Sequence, residues 1–138
     1  MFATIKSLGL FGLNAFPVDV EVDIQKGLPH FDIVGLPDAA VKESRERIRA
    51  ALYSISVTLP PKHIVVNLAP ADVKKSGTMH DLAILVGVLK SMGQLSCSMQ
   101  GKFFIGEVSL SGEVRSVNGV LPMTILARSL GVEELYVP

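Results

Sequence analysis

The clearest pattern in the chain has period two. Val18, Val20, Val22 and Ile24 alternate with Asp19, Glu21, Asp23 and Gln25, so a strand here buries one face and wets the other. Residues 2–10 alternate more loosely and read as a second strand, with Gly9 and Gly12 marking a bend. Residues 30–34 form a third strand after the turn Lys26-Gly27-Leu28-Pro29. The alternation and the short turn predict an antiparallel meander of the three.

The period then changes. Gly35-Leu36-Pro37-Asp38 starts a helix: the missing N–H of Pro37 costs nothing in a first turn, and Asp38 suits the positive helix end. Val41, Ser44, Ile48, Ala51, Leu52 and Ile55 fall on one stripe, and Pro60-Pro61 forbids continuation. The run Ile64-Val65-Val66 predicts a central strand over 62–68 that is buried on both faces. A polar loop over 69–78 follows. Thr78 and Asp81 resemble a capping box, with Asp in place of the usual Glu. Residues 79–92 are apolar almost all round, which predicts a deeply packed helix. Gly87 within it costs about 1 kcal/mol against Ala, tolerable where helix and sheet approach closely.

Residues 93–102 read as a loop and 103–108 as a strand. Ser111-Gly112 turns the chain into a short strand over 114–117, and Asn118-Gly119 opens a third helix that ends before Gly131. A last strand begins at 135–137. The order β-β-β-α-β-α-β-β-α-β predicts an α/β (α+β) domain, a mixed sheet with helices packed on it. No internal repeat or linker divides residues 1–138, and the late strand suggests that the natural chain continues.

Composition narrows the classes. A chain of 138 residues, 49% hydrophobic and 19% charged, can bury a core without metal or disulfide. Thirteen basic and thirteen acidic residues give zero net charge. That disfavours a free-standing nucleic-acid binder while leaving room for a local patch. It also leaves little repulsion against self-association. Cys97 is the only cysteine, so no internal disulfide forms and a reducing, cytoplasmic setting fits. The longest apolar stretch, 82–89, is too short to span a bilayer, so no membrane partner is expected.

Candidate chemistry is sparse. There is no Gly-x-Gly-x-x-Gly after a strand and no Walker loop. His30, His63, His80 and Cys97 are scattered without metal-ligand spacing, so no metal site is expected. Asp19, Glu21 and Asp23 read as a solvated sheet face. The segment from Asp72 to Asp81 puts polar, mobile residues before the most buried helix. Lys74, Lys75, Ser76 and His80 make it a candidate polar site, with Ser76 beside two lysines suggesting a Ser–Lys dyad. Lys42, Arg45, Arg47 and Arg49 decorate the first helix with Glu43 and Glu46 between them. They form either an ordinary solvated face, with Lys42–Glu46 and Glu43–Arg47 as i,i+4 pairs, or a surface for a domain, a subunit or a phosphate backbone.

Longer blocks carry a resemblance. Val20-Glu21-Val22-Asp23-Ile24, Gly27-Leu28-Pro29, and Phe31-Asp32-Ile33-Val34-Gly35-Leu36-Pro37-Asp38 open the series. Val41-Lys42-Glu43-Ser44-Arg45-Glu46-Arg47 and Val66-Asn67-Leu68-Ala69-Pro70-Ala71-Asp72 continue it, and Gly106-Glu107-Val108-Ser109-Leu110-Ser111-Gly112 and Gly119-Val120-Leu121-Pro122 complete it. With these the chain resembles the N-terminal domain of the magnesium-chelatase-like, competence-associated AAA+ ATPases, the ComM family. The resemblance implies a place ahead of an AAA+ module that assembles as a hexameric ring. That module and neighbouring subunits would be its partners, with ATP and Mg bound by the parent and no cofactor in this fragment. The parent would be an ATP-dependent DNA helicase driving branch migration in natural transformation. The resemblance also implies a ribosomal-protein-like fold similar to the Lon proteolytic domain.

The Lon pattern Lys-Asp-Gly-Pro-Ser-Ala-Gly falls on Lys75-Ser76-Gly77-Thr78-Met79-His80-Asp81, which puts the nucleophile position at Met79. The block ending Gly-Gly-Leu-Lys falls on Asn118-Gly119-Val120-Leu121, which puts the dyad lysine at Leu121. A thioether and an aliphatic chain supply neither nucleophile nor base, so no catalytic residue is expected. The leading expectation is a non-catalytic accessory domain of a DNA-processing ATPase, with weak DNA contact through Lys42, Arg45, Arg47 and Arg49. The alternatives are a Lon-like peptidase using unconventional residues and a structural oligomerisation domain.

Overall fold

The computed structural model describes residues 1–138. The alternating segments pair as expected at the start: β1 (Phe2–Phe11) and β2 (Asn14–Gln25) run antiparallel with Phe2 opposite Asp23 and Phe11 opposite Asn14. The third member of the expected meander does not join them. From β3 (His30–Val34) the chain passes through α1 (Ala39–Lys42) and α2 (Ser44–Ser54) and returns as β4 (His63–Ala69). β4 lies between β2 and β3, antiparallel to the first and parallel to the second. The reason is the amphipathic stripe of α2. A crossover helix joins parallel neighbours, and Ile48 and Leu52 bury in one cluster with Phe31, Ile33, Ile64 and Val66 of the two strands.

β4 is central as expected, but it is not buried on both faces. Ile64, Val66 and Leu68 are buried while His63, Val65 and Asn67 are half-exposed. The remaining elements are α3 (Asp81–Ser91), β5 (Lys102–Phe104), β6 (Glu107–Val108), β7 (Val114–Arg115), α4 (Val120–Ser129) and β8 (Glu134–Tyr136). The expected strand over 103–108 is two pieces. Gly106, at φ +157, donates to Met79 O at 2.9 Å and accepts from Leu82 N at 3.1 Å, so the chain leaves the sheet there. The main sheet is ordered β3-β4-β2-β1-β5-β8, and β6 pairs with β7 apart from it. The mixed α/β architecture with packed helices is therefore present.

Strand parity assigns the helices to faces. Ile5, Val20, Val22 and Ile24 point toward α2 and α3 and join the larger core cluster. At Gly87 an added Cβ would stand 2.6 Å from Val22 Cγ2, which is the close helix–sheet approach that this glycine permits. Leu8, Leu10 and Ala15 have the opposite parity and pack with Met123 and Ala127 of α4 in a second cluster. α4 covers only one end of that face. The other end, toward β3, is left to polar side chains. There Lys6 pairs with Asp19 at 2.8 Å and Asn67 donates to Glu21 at 2.7 Å. The row Asp19, Glu21 and Asp23 is thus a hydrogen-bonded solvated face.

Candidate functional site

The basic residues of the first helix separate into two groups. At 100° per residue Lys42, Arg45 and Arg49 share one narrow stripe, and Arg47 lies far round the helix. Lys42 and Arg49 are exposed and the Arg45 side chain is 43% exposed, facing the edge strand β3. The Arg49 guanidinium stands 5.9 Å from the centre of the Phe31 ring, and Arg45 reaches Phe31 O at 3.5 Å. Arg45 also stands 3.7 Å from Glu46, whereas the expected Lys42–Glu46 pair does not form.

Arg47 is not part of this surface. Its side chain is 16% exposed and is clamped to the fully buried Asp81, Nε to Oδ2 at 2.6 Å and Nη2 to Oδ1 at 3.0 Å. Ser44 donates to the same carboxylate at 2.5 Å, Val108 N donates at 3.1 Å, and Arg47 Nη2 also reaches Ala40 O at 2.9 Å. The hydrogen bond to Asp81 holds the Arg47 guanidinium charged above its ordinary range. The expected Glu43–Arg47 contact is present at 3.8 Å. Asp81 was expected to complete a capping box. No side chain caps α3, because this carboxylate is turned to α2 and β6 instead.

The polar loop before α3 is partly a buried structure. Lys74 and Ser76 are exposed, but Lys75 is fully buried and tied in by Lys75 N to Leu36 O at 3.0 Å and Asp38 N to Lys75 O at 2.9 Å. Its Nζ donates to Gly35 O at 3.0 Å and to Pro70 O. Burial lowers its pKa. Asp38 caps α1 through Val41 N at 2.8 Å and accepts from Gly77 N at 3.2 Å. A Ser76–Lys75 dyad is not assembled: one member is exposed and the other spends its protons on carbonyls.

His80 is buried as well. The Ser7 hydroxyl donates to Phe104 O at 2.8 Å, so His80 Nδ1, 3.2 Å away, is the donor to Ser7 and Nε2 is left without a partner. Burial foremost, aided by nearby Lys75, pushes its pKa down to about 4, so the ring is neutral at pH 7. Met79 is buried in the second cluster, while Leu121 is 70% exposed on α4.

One constellation was not foreseen. His30 and His63, scattered in sequence, stand directly opposite each other across β3 and β4. Asp32, two residues along, points to the same solvent face. Asp32 Oδ2 meets His63 Nε2 at 2.8 Å, and Asp32 Oδ1 meets His30 Nδ1 at 3.1 Å. The bond from His63 holds the Asp32 carboxyl below its usual range. The parallel register would have revealed it, but the predicted meander hid that register.

These features define a mixed α/β domain with a buried ionic clasp, a basic helix stripe and a His–Asp–His cluster on its open sheet face. The chain belongs to the family described as ChlI, subunit ChlI of Mg-chelatase, which matches residues 20–138. It is 41% identical over 136 residues to competence protein ComM of Haemophilus influenzae, covering 98% of this chain and 26% of that protein. It is 42% identical over 111 residues to the uncharacterized protein YifB of Escherichia coli, covering 80% and 22%. A Mycobacterium bovis relative, also uncharacterized, is 38% identical over 133 residues, covering 96% and 26%. The chain thus spans about a quarter of the length of the curated relatives it matches. No helix is long and apolar enough to cross a membrane.

Proposed function

We propose that this domain is a non-catalytic accessory domain of a magnesium-chelatase-like AAA+ ATPase that processes DNA, on a fold of the Lon proteolytic type. The observation that carries the reading is the chemistry at the two Lon dyad positions. Met79 is packed among Leu8, Ile105 and Met123, and Leu121 is a hydrocarbon on the surface. Neither holds or moves a proton. Ser76 and Lys75 do not replace them, because the ammonium is turned inward onto Gly35 O. ATP and magnesium belong to the ATPase module, since these residues contain no glycine-rich phosphate loop.

The stripe Lys42, Arg45 and Arg49 is the surface through which the domain touches a DNA backbone, with Arg47 withdrawn from it. Point charges along one helix face neutralise phosphates without reading bases. Deleting residues 1–138 from the full-length protein tests the whole reading: DNA-stimulated ATP hydrolysis is expected to fall. Unchanged stimulation together with unchanged ring assembly overturns it. Arg45→Glu with Arg49→Glu in the full-length protein tests the stripe. The salt dependence of DNA binding should lose a slope of about 2, and an unaltered slope removes DNA from this face. Peptidase turnover that disappears on Ser76→Ala overturns the non-catalytic reading.

The oligomerisation reading has its own support. Leu121 and Ile125 of α4 and Leu13 at the tip of the β1–β2 hairpin are all more than 60% exposed. An apolar face of this kind marks a contact surface.

A further inference from the structure

We propose that His30, Asp32 and His63 form a binding site for a zinc-class divalent ion. One coordinating atom from each residue falls in a group whose members all lie within 4.8 Å of one another. Donors about 2.1 Å from a tetrahedral ion stand about 3.4 Å apart. The side chains therefore need to close by little more than an ångström, and all three are at least one-third exposed and free to do so.

The backbone beneath them is fixed. His30 and His63 are register partners in a parallel ladder, and Asp32 is the next residue on the same face. The three donors thus come from two hydrogen-bonded strands, a rigid base for a coordination site. In the ion-free arrangement the Asp32 carboxylate holds both imidazoles, at 2.8 and 3.1 Å. An ion takes the place of those hydrogen-bonded protons.

The donor set selects the ion. Two imidazole nitrogens and one carboxylate oxygen suit zinc and its neighbours cobalt and nickel. Magnesium demands an octahedral shell of oxygens and keeps its waters, so it does not compete here. The site is therefore separate from any magnesium used with ATP. Three protein donors leave the fourth position of a tetrahedral shell to water. A bound ion would also pin the edge strand β3 to β4.

The test is zinc titration of the chelator-stripped chain, read by competition with a chromophoric chelator and by thermal unfolding. One equivalent of zinc should bind, and saturating zinc at a hundredfold excess over Kd should raise Tm by roughly 5–10 °C. Asp32→Asn and His63→Ala should each weaken binding by roughly tenfold or more, with far-ultraviolet circular dichroism unchanged. Cys97→Ser should leave affinity intact, and millimolar magnesium should not displace the ion. No stoichiometric binding, or binding that survives Asp32→Asn and His63→Ala in folded protein, overturns the proposal. Loss of binding on Cys97→Ser, or displacement by magnesium, overturns it equally.

Discussion

Two carboxylates, Asp81 and Asp32, each gather two or more polar side chains from distant parts of the sequence, and the fold treats them oppositely. Asp81 is fully buried and accepts from Arg47, Ser44 and the Val108 amide. Asp32 is two-fifths exposed and sits between His30 and His63. Removing either partner of the buried pair leaves an uncompensated charge in a dry place. The exposed cluster can exchange partners with water or an ion at small cost. The difference separates a device that holds the fold from one that is free to bind.

The largest expected effect tests the buried member. Asp81→Ala should destabilise the chain by about 3–5 kcal/mol in urea unfolding, because Arg47 loses its counter-charge while still enclosed. A loss below ~1 kcal/mol would mean that the two carboxylates do not differ as argued.

Acid provides the next test, through a second buried group. His80 is held neutral, with a pKa of about 4 against 6.5 for a free ring. The unfolded chain takes up that proton first, so stability should fall as pH drops from about 6.5 to 4, by up to about 3 kcal/mol from this residue. His80→Asn removes the titration. The advantage of the parent chain over this variant in denaturation midpoint should shrink across that window. A gap that stays constant with pH excludes the assignment.

The smallest effect comes from the wet face. Lys6→Ala breaks the pair with Asp19, whose members are both more than two-fifths exposed. It should cost under ~1 kcal/mol and less at high salt. A larger loss would mean that the open sheet face is more structural than its solvation implies.

Local patterns made the elements legible but not all of their pairings. Period two identified β2, and the apolar run identified α3 along with the close approach at Gly87, because each signal lies within one element. The position of β4 between β2 and β3 depends on how α2, in the crossover between β3 and β4, packs across the sheet, which no local period encodes. That single long-range fact carried the His30–Asp32–His63 cluster with it. Arg47 was misplaced for a related reason. The other basic residues of this segment, Lys42, Arg45 and Arg49, reach solvent, and only the approach of α3 brings Asp81 to Arg47. Lys75 likewise looked mobile beside Lys74 and Ser76, while its burial comes from the strand-like bridge to Pro37.

The clasp at Asp81 has a mechanical meaning. It fastens α2 to the start of α3 and to β6, and α3 is pressed at Gly87 directly onto the Val22 and Ile5 side chains of the sheet. A pull on Arg45 or Arg49 would therefore reach the sheet as a displacement of the whole body rather than as bending of one helix. Such a domain would answer a force on its helix as one stiff piece.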